Sequence, residues 1–140
     1  MSKPSPKQQL FAQLARVGKG IAHPSRLELI EAMAQGEKSV EALSRACGLA
    51  FSNVSHHLQI LKDCGLAVSR KEGLQVFYRL ADAEVPAMIA SLRRIAERQL
   101  AEVERIVRDN FESRDALQPV RREGLLKMAR RGEAMVIDVR

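Results

Sequence analysis

The stretch from Ser39 to Gly65, SVEALSRACGLAFSNVSHHLQILKDCG, decides the fold. Its apolar residues recur at spacings of three and four on both sides of Gly48, which predicts two short helices. Gly48 lies where the chain must turn sharply, and glycine tolerates the positive φ that such a turn requires. Ser39 is expected to cap the first helix and Ser52 the second. The stretch therefore predicts a helix-turn-helix.

An alternating segment follows this pair of helices, from Ala67 to Leu80. Apolar residues occupy every second position on either side of Glu72-Gly73, which predicts a two-stranded β-hairpin with its turn there. A hairpin directly after a helix-turn-helix forms a wing. The expected fold class is thus mainly α with a β-hairpin wing, a winged helix-turn-helix of the kind that grips duplex DNA.

Helices are also predicted on both sides of this unit. Two short helices precede it, one running from Gln8 to Gly18 and the other from Pro24 to Gly36. After Asp82 a long terminal helix carries a narrow apolar seam, with charged residues at most other positions. Such a seam usually packs on a partner helix, so we expect a dimerisation helix. The same pattern would also fit a helix that covers the chain's own core.

The composition limits the classes of protein to consider. The chain has 140 residues and a formal net charge of +6, which favours a polyanionic partner without identifying one. Four Phe, one Tyr and no Trp argue against a base-stacking surface for RNA or single-stranded DNA. The sequence shows neither an apolar run long enough to span a membrane nor a signal peptide, so we expect a cytoplasmic protein. No nucleophile–base arrangement indicates an enzyme, and nothing indicates a cofactor.

Three phrases in order resemble the ArsR/SmtB family of bacterial winged-helix repressors. They are AHPSRLELIEAM before the helix pair, CGLAFSNVSHHLQILKDCGLA across the turn and VSRKEGLQVFYRLAD in the wing. The likeness covers about Gln8 to Phe111. The resemblance implies a homodimer joined by the first and last long helices. It also implies that paired recognition helices enter successive major grooves of an inverted-repeat operator.

The resemblance makes the second helix of the pair the recognition helix. Its outward-facing amide, hydroxyl and imidazole groups can bond to base edges or phosphates. Wing cations can follow the DNA backbone or enter the minor groove. The expected DNA-binding residues are Ser52, Asn53, Ser55, His56, Gln59, Arg70 and Lys71. Asn53, Gln59 and Lys71 would also suit an ordinary solvated surface.

The neighbouring His56 and His57 suggest a metal site at first sight. Successive helix residues point about 100° apart and cannot easily share one ion, so one is expected to face DNA and the other to pack. The resemblance implies two kinds of metal site, one built on a cysteine cluster and one on the last helix. This chain has no cysteine from Glu37 to Glu41 and no histidine from Ala83 to Phe111. We therefore assign no metal ligand, and a metal-responsive repressor with an atypical site is the alternative.

Cys47 and Cys64 lie near the ends of the two helices of the predicted helix-turn-helix. A free cysteine is commonly a small core residue. The sharper hypothesis is a thiol switch that responds to oxidants or reactive sulfur. It rests on the position of the two cysteines, because linking them would strain the helix pair.

The last segment, LQPVRREGLLKMARRGEAMVIDVR, resembles the linker, first helix and first strand of a rhodanese domain. We therefore expect residues 1–117 to form the DNA-binding and dimerisation domain and residues 118–140 to open a second domain. This reading makes sulfane sulfur a reasonable inducer. The alternatives are a regulator fused to a sulfurtransferase, whose catalytic cysteine loop would lie beyond this chain, and a module that binds protein with the same fold. This chain alone is not expected to be an enzyme.

Overall fold

The computed structural model describes residues 2–112. Within this range, five helices and three strands follow in the order α1 Pro6–Gly20, α2 Pro24–Ala34, β1 Lys38–Ser39, α3 Val40–Cys47, α4 Phe51–Asp63, β2 Ala67–Glu72, β3 Gln75–Leu80 and α5 Val85–Glu112. The predicted class, mainly α with a β-hairpin wing, is confirmed. No helix in this range is long and apolar enough to cross a membrane. The expected second domain at residues 118–140 lies outside the described residues.

The short helices begin and end where side chains or glycines satisfy their terminal backbone groups. At α1 the N–H of Gln8 donates to Ser5 Oγ (3.1 Å) and the N–H of Ser5 donates to Gln8 Oε1 (2.7 Å), which is a capping box. At α3 the N–H of Ala42 donates to Ser39 Oγ (3.1 Å), so the predicted cap is confirmed. Gly48 ends α3 with a φ of 64°, a left-handed conformation that suits glycine.

The wing belongs to an antiparallel sheet with the strand order β1–β3–β2. β2 pairs with β3 from Ala67 opposite Leu80 to Glu72 opposite Gln75, so the hairpin lies where the alternation predicted it. The strand β1, in which Lys38 lies opposite Tyr78, was not predicted. Its two residues are too few to show an alternating pattern, and its partner strand is distant in sequence.

The core of the winged helix-turn-helix is built mainly by α2, α3 and α4. Its fully buried side chains are Leu29, Ile30, Leu43, Val54, Leu58 and Leu61. The three that belong to α4 are spaced by three and four residues, so they form one buried stripe along that helix. Leu66, Ala67 and Tyr78 extend the core to the wing. α4 is therefore held by one face, and its opposite face points away from the core.

Apolar side chains are exposed on α1 and on α5. Leu10, Phe11 and Leu14 of α1 are each more than half exposed. From Met88 onward α5 belongs to a separate unit. The exposed large apolar side chains of that part of α5 are Leu92, Ile95, Val103 and Ile106. Exposed apolar rows of this kind commonly mark protein contacts.

Candidate nucleic-acid interface

The outward side of α4 carries a row of polar side chains. Ser52, Ser55, His56 and Gln59 are spaced by three and four residues, so they share one side of the helix. Ser52, His56 and Gln59 are exposed and Ser55 is half-buried. Asn53 is also exposed and lies at the edge of this side, about 100° around the helix from Ser52. These five residues, called the polar face below, lie on or beside one outward side of α4.

The start of α4 differs from the prediction. The helix begins at Phe51, with Ala50 at the N-cap position and no side-chain hydrogen bond to the first turn. The prediction that Ser52 caps the helix is wrong, because the chain enters helical geometry earlier and Ser52 already lies in the first turn. Phe51, which the sequence analysis missed, is 53% exposed beside the polar face. Its spacing from Val54 fits the buried stripe, so no sequence pattern distinguishes it from a core residue.

Two members of the polar face differ in the contacts that they make within the protein. Gln59 Nε2 donates to Asp63 Oδ1, 3.0 Å away and one turn further along α4. His56 is exposed, whereas its neighbour His57 is half-buried with its ring centroid 4.4 Å from that of His23. One histidine of the pair therefore points outward and the other packs.

His57 packs at a junction between α1, α2 and α4. Arg26, which is only 8% exposed, donates through Nε to the carbonyl oxygen of Gly20 (2.7 Å) and through Nη2 to that of Lys19 (3.1 Å). Its Nη1 lies 3.3 Å from His57 Nδ1. Burial lowers the pKa of His57, and the nearby His23, Arg26 and His56 lower it further. The sequence analysis missed Arg26, because AHPSRLELI reads only as a helix start.

Arg70 of the wing is already paired with carboxylates. Its Nε donates to both oxygens of Glu37 (2.9 and 3.0 Å), and its Nη1 donates to Glu72 Oε2 (2.7 Å). The guanidinium carbon also lies 4.6 Å from the ring centroid of Phe77. The hydrogen bond from Arg70 lowers the pKa of Glu37, and the same pairing raises the pKa of Arg70. Lys71 is exposed beside it. A phosphate contact by Arg70 would therefore require an exchange of partners.

The two cysteines are free and have different surroundings. Cys47 is half-buried, and its pKa is raised by burial and then by Glu28 and Glu31, so its thiolate is disfavoured. Cys64 is 5% exposed and packs against Gly20, where an added Cβ would lie 3.1 Å from Cys64 Cβ. Within residues 2–112, no group of three or more His, Cys, Asp or Glu side chains could hold a metal ion.

The helix pair and the wing define a winged helix-turn-helix domain, of the class that binds duplex DNA. The sequence model of the bacterial regulatory proteins of the arsR family matches residues 23–69. The solution structure of the homodimeric winged helix-turn-helix DNA-binding domain of Mb0332 from Mycobacterium bovis, a possible ArsR-family regulator, has 37% sequence identity and a TM-score of 0.61. That similarity covers 69% of this chain and 90% of the Mb0332 chain. The chain belongs to the arsR family of bacterial regulatory proteins.

Two curated relatives are regulators from Mycobacterium tuberculosis. The HTH-type transcriptional regulator Rv0324 is 37% identical over 134 residues, which is 96% of this chain. The HTH-type transcriptional regulator CmtR is 40% identical over 79 residues, which is 56% of this chain and 67% of CmtR. This chain spans only 58% of the length of Rv0324.

Proposed function

We propose that the protein is a repressor that binds an inverted-repeat operator as a homodimer and leaves it when an inducer acts. The observation that carries this proposal is the polar face of α4, which stays exposed on a helix whose opposite stripe is fully buried. An α-helix fits the major groove of duplex DNA, and residues near the start of a recognition helix commonly reach base edges. The net charge of +6 suits a phosphate backbone.

Within the polar face, side-chain chemistry suggests separate roles. Asn53 and His56 are exposed and can bond to base edges, an amide being well matched to adenine. Ser52 and Ser55 are short and suit phosphate contacts. Gln59 would exchange Asp63 for a base or phosphate when DNA binds. Their neighbour Phe51 would add apolar contact with a thymine methyl group.

The wing supplies a second, less specific contact. Lys71 is exposed and close to the hairpin turn, so it can follow the DNA backbone or enter the minor groove. Arg70 would join it only after a phosphate displaces the carboxylates of Glu37 and Glu72. Lys71 is thus the primary wing contact and Arg70 a conditional one.

Homodimerisation follows from the exposed apolar rows on α1 and on α5. Each row brings several exposed large apolar side chains onto one helix, and such rows commonly mark protein contacts. The Mb0332 domain from Mycobacterium bovis, which is similar to this chain, is homodimeric. A two-fold dimer would place its recognition helices on half-sites about 34–36 Å apart, one turn of the DNA.

The test begins with selection of duplexes from a random pool, followed by affinity measurements with the selected duplex. We expect an inverted repeat to be enriched. Its affinity should fall with salt, with a slope of about −0.9 per phosphate contact on logarithmic axes. Asn53→Ala should lose affinity, whereas Gln35→Ala, which removes an exposed amide at the end of α2, should keep it. Absence of an enriched repeat, or binding that salt does not weaken, would favour the rival protein-binding module.

For the inducer we propose reactive sulfur acting on a thiol, with Cys64 favoured over Cys47. A donor of the type R–S–SH would transfer its outer sulfur to the Cys64 thiolate and leave as the thiolate R–S⁻. The enlarged side chain could no longer pack on Gly20, whose carbonyl accepts the bond from Arg26. The same thiol-switch hypothesis includes a second way to release the operator, in which an oxidant links Cys47 and Cys64 by a disulfide. Operator release by each agent should be compared in Cys47→Ser and Cys64→Ser, and an unchanged response in both variants contradicts a thiol switch.

We also propose that residues 118–140 begin a second domain similar to rhodanese and that the whole protein acts in the cytoplasm. The similarity to Rv0324 covers 96% of this chain and only 58% of that relative, so Rv0324 extends well beyond the matched part. Reading the gene beyond the codon for Arg140 tests this proposal. A frame that continues into a cysteine-containing loop supports it, and a stop codon contradicts it.

A further inference from the structure

Arg26 is a buried cation that joins two helices. Removing a guanidinium from water is costly unless its donors are bonded. Here they reach the carbonyl oxygens of Lys19 and Gly20 at the end of α1 and Nδ1 of His57 on α4. The C-terminus of a helix carries a partial negative charge, so α1 further stabilises the cation. Arg26 thus ties the end of α1 to the middle of the recognition helix.

The contact with Arg26 determines the protonation state of His57. Arginine only donates, so Nδ1 of His57 must accept, and this requires the neutral ring with its proton on Nε2. A proton on Nδ1 would remove the acceptor and place a second positive charge 3.3 Å from the guanidinium nitrogen. The groups that face His57 are His23 and Arg26 from the start of α2 and His56 from α4 itself, none of which is an anion.

We propose that Arg26 is a positioning residue for the recognition helix, and that protonation of His57 releases this contact and weakens operator binding in acid. The inference rests on the proposed DNA binding. His57 is adjacent to His56 of the polar face, so a shift of the His57 ring turns the side chains that meet the DNA. The pKa of His57 is lowered from 6.5, mainly by burial, so the contact is complete above that pH. The contact between Arg26 and His57 is lost as the pH falls through the lowered pKa of His57.

The sign of the pH effect separates this coupling from a direct contact between histidine and DNA. Protonation of a histidine that touches the DNA would add a positive charge toward the phosphates and strengthen binding as the pH falls. Protonation of His57 would act in the opposite direction, because it breaks the contact that orients α4. Loss of affinity in acid is therefore the signature of the Arg26–His57 contact.

The test measures affinity for the duplex selected from the random pool, at constant salt and from about pH 5.5 to about pH 8, the range in which histidine titrates. Wild type should lose up to about tenfold in affinity per pH unit and protomer once His57 protonates. His57→Asn places an amide oxygen near the position of Nδ1, so it accepts from Arg26 but does not titrate. This variant should bind like wild type at neutral pH and lose the acid dependence.

His56→Asn is the matched control, because it makes the same substitution on the outward side of α4. Its affinity at neutral pH can differ from wild type, but it should keep the loss in acid. Arg26→Gln should bind weakly at every pH and show a flat profile, with Arg26→Lys recovering part of the affinity. Circular dichroism across the pH range identifies any variant that unfolds.

Two results would overturn the inference: an affinity of His56→Asn that does not fall in acid, or an equal fall in His57→Asn. If Arg26→Gln fails to fold, the comparison of His57→Asn with His56→Asn still decides the question. Failure of wild type to bind any selected duplex at neutral pH is a different result, because it overturns the proposed function itself.

Discussion

Gly20, the last residue of α1, is expected to be intolerant of any side chain. A Cβ built on it would lie 2.7 Å from Leu66 Cδ1, 3.1 Å from Cys64 Cβ and 3.4 Å from Cys64 Sγ. Leu66 is only 3% exposed, so its methyl group cannot swing into solvent. The Cβ of Cys64 is fixed to the backbone of its own segment. The substitution Gly20→Ala therefore forces α1 away from the segment that follows α4.

The size of the effect is the difference between two opposing contributions. Forcing an extra methyl group into a well-packed site costs about 1–3 kcal/mol. Replacing glycine by alanine in a helix returns about 0.5–1 kcal/mol, because the unfolded chain has less freedom to lose. Gly20→Ala should thus lower the free energy of unfolding by about 1 kcal/mol at the middle of both ranges, and by about 2.5 kcal/mol at most. Gly18→Ala is the matched control, since a Cβ there meets nothing within 4 Å, and it should be neutral or slightly stabilising.

Urea denaturation followed by circular dichroism, at one fixed protomer concentration, measures both variants. The double variant Gly20→Ala with Leu66→Ala adds a check, because removing the Leu66 methyl groups should relieve part of the clash. In a double-mutant cycle the two substitutions should then cost less together than the sum of their separate effects. The reasoning is refuted if Gly20→Ala is as stable as Gly18→Ala, or if the two substitutions are additive.

Three further predictions concern the winged helix-turn-helix. Glu37→Gln removes a carboxylate partner of Arg70 and should raise operator affinity, because Arg70 is then freer to contact a phosphate. The salt slope of binding should become steeper by about 0.9 per protomer. A lower affinity would show that Arg70 serves only to stabilise the wing. Phe51→Ala should bind thymine-containing and uracil-containing operators equally, whereas wild type should prefer thymine. If replacing thymine by uracil costs both proteins the same affinity, a methyl contact by Phe51 is excluded. Because burial raises the pKa of Cys47, iodoacetamide should alkylate it more slowly in the folded protein than in urea at neutral pH, as measured in a Cys64→Ser background. Faster alkylation of the folded protein would contradict the raised pKa.

The local features of the fold could be predicted from the sequence, because they depend on neighbours along the chain. The buried stripe of α4, the cap at Ser39 and the turn at Gly48 all follow from spacing or from one residue's conformational preference. The wing follows from alternation. The cap at Ser52 failed for a local reason as well: a serine can occupy the first turn of a helix, and the sequence does not determine where helical geometry begins.

The partners of the charged side chains could not be predicted in the same way. Arg70 is separated by 33 positions from Glu37, and Arg26 by 31 positions from His57. No period or motif connects such pairs, because the topology of the sheet and the packing of α2 on α4 bring them together. For this reason Arg70 read as a free wing cation and Arg26 as an ordinary helix residue, although the structure gives both of them specific partners.

The two ends of α4 are held differently, and this difference bears on the proposed binding and release of DNA. At the C-terminal end, Arg16 of α1 donates to the carbonyl oxygen of Asp63, and Gly20 packs against Cys64. In the middle, Arg26, which also donates to the carbonyl oxygens of Lys19 and Gly20 at the end of α1, reaches His57. The N-terminal end carries no side-chain cap and presents Phe51 to solvent. If α4 reads DNA as proposed, a thiol modification at Cys64 and protonation of His57 would both act where α4 meets Arg26 and the end of α1.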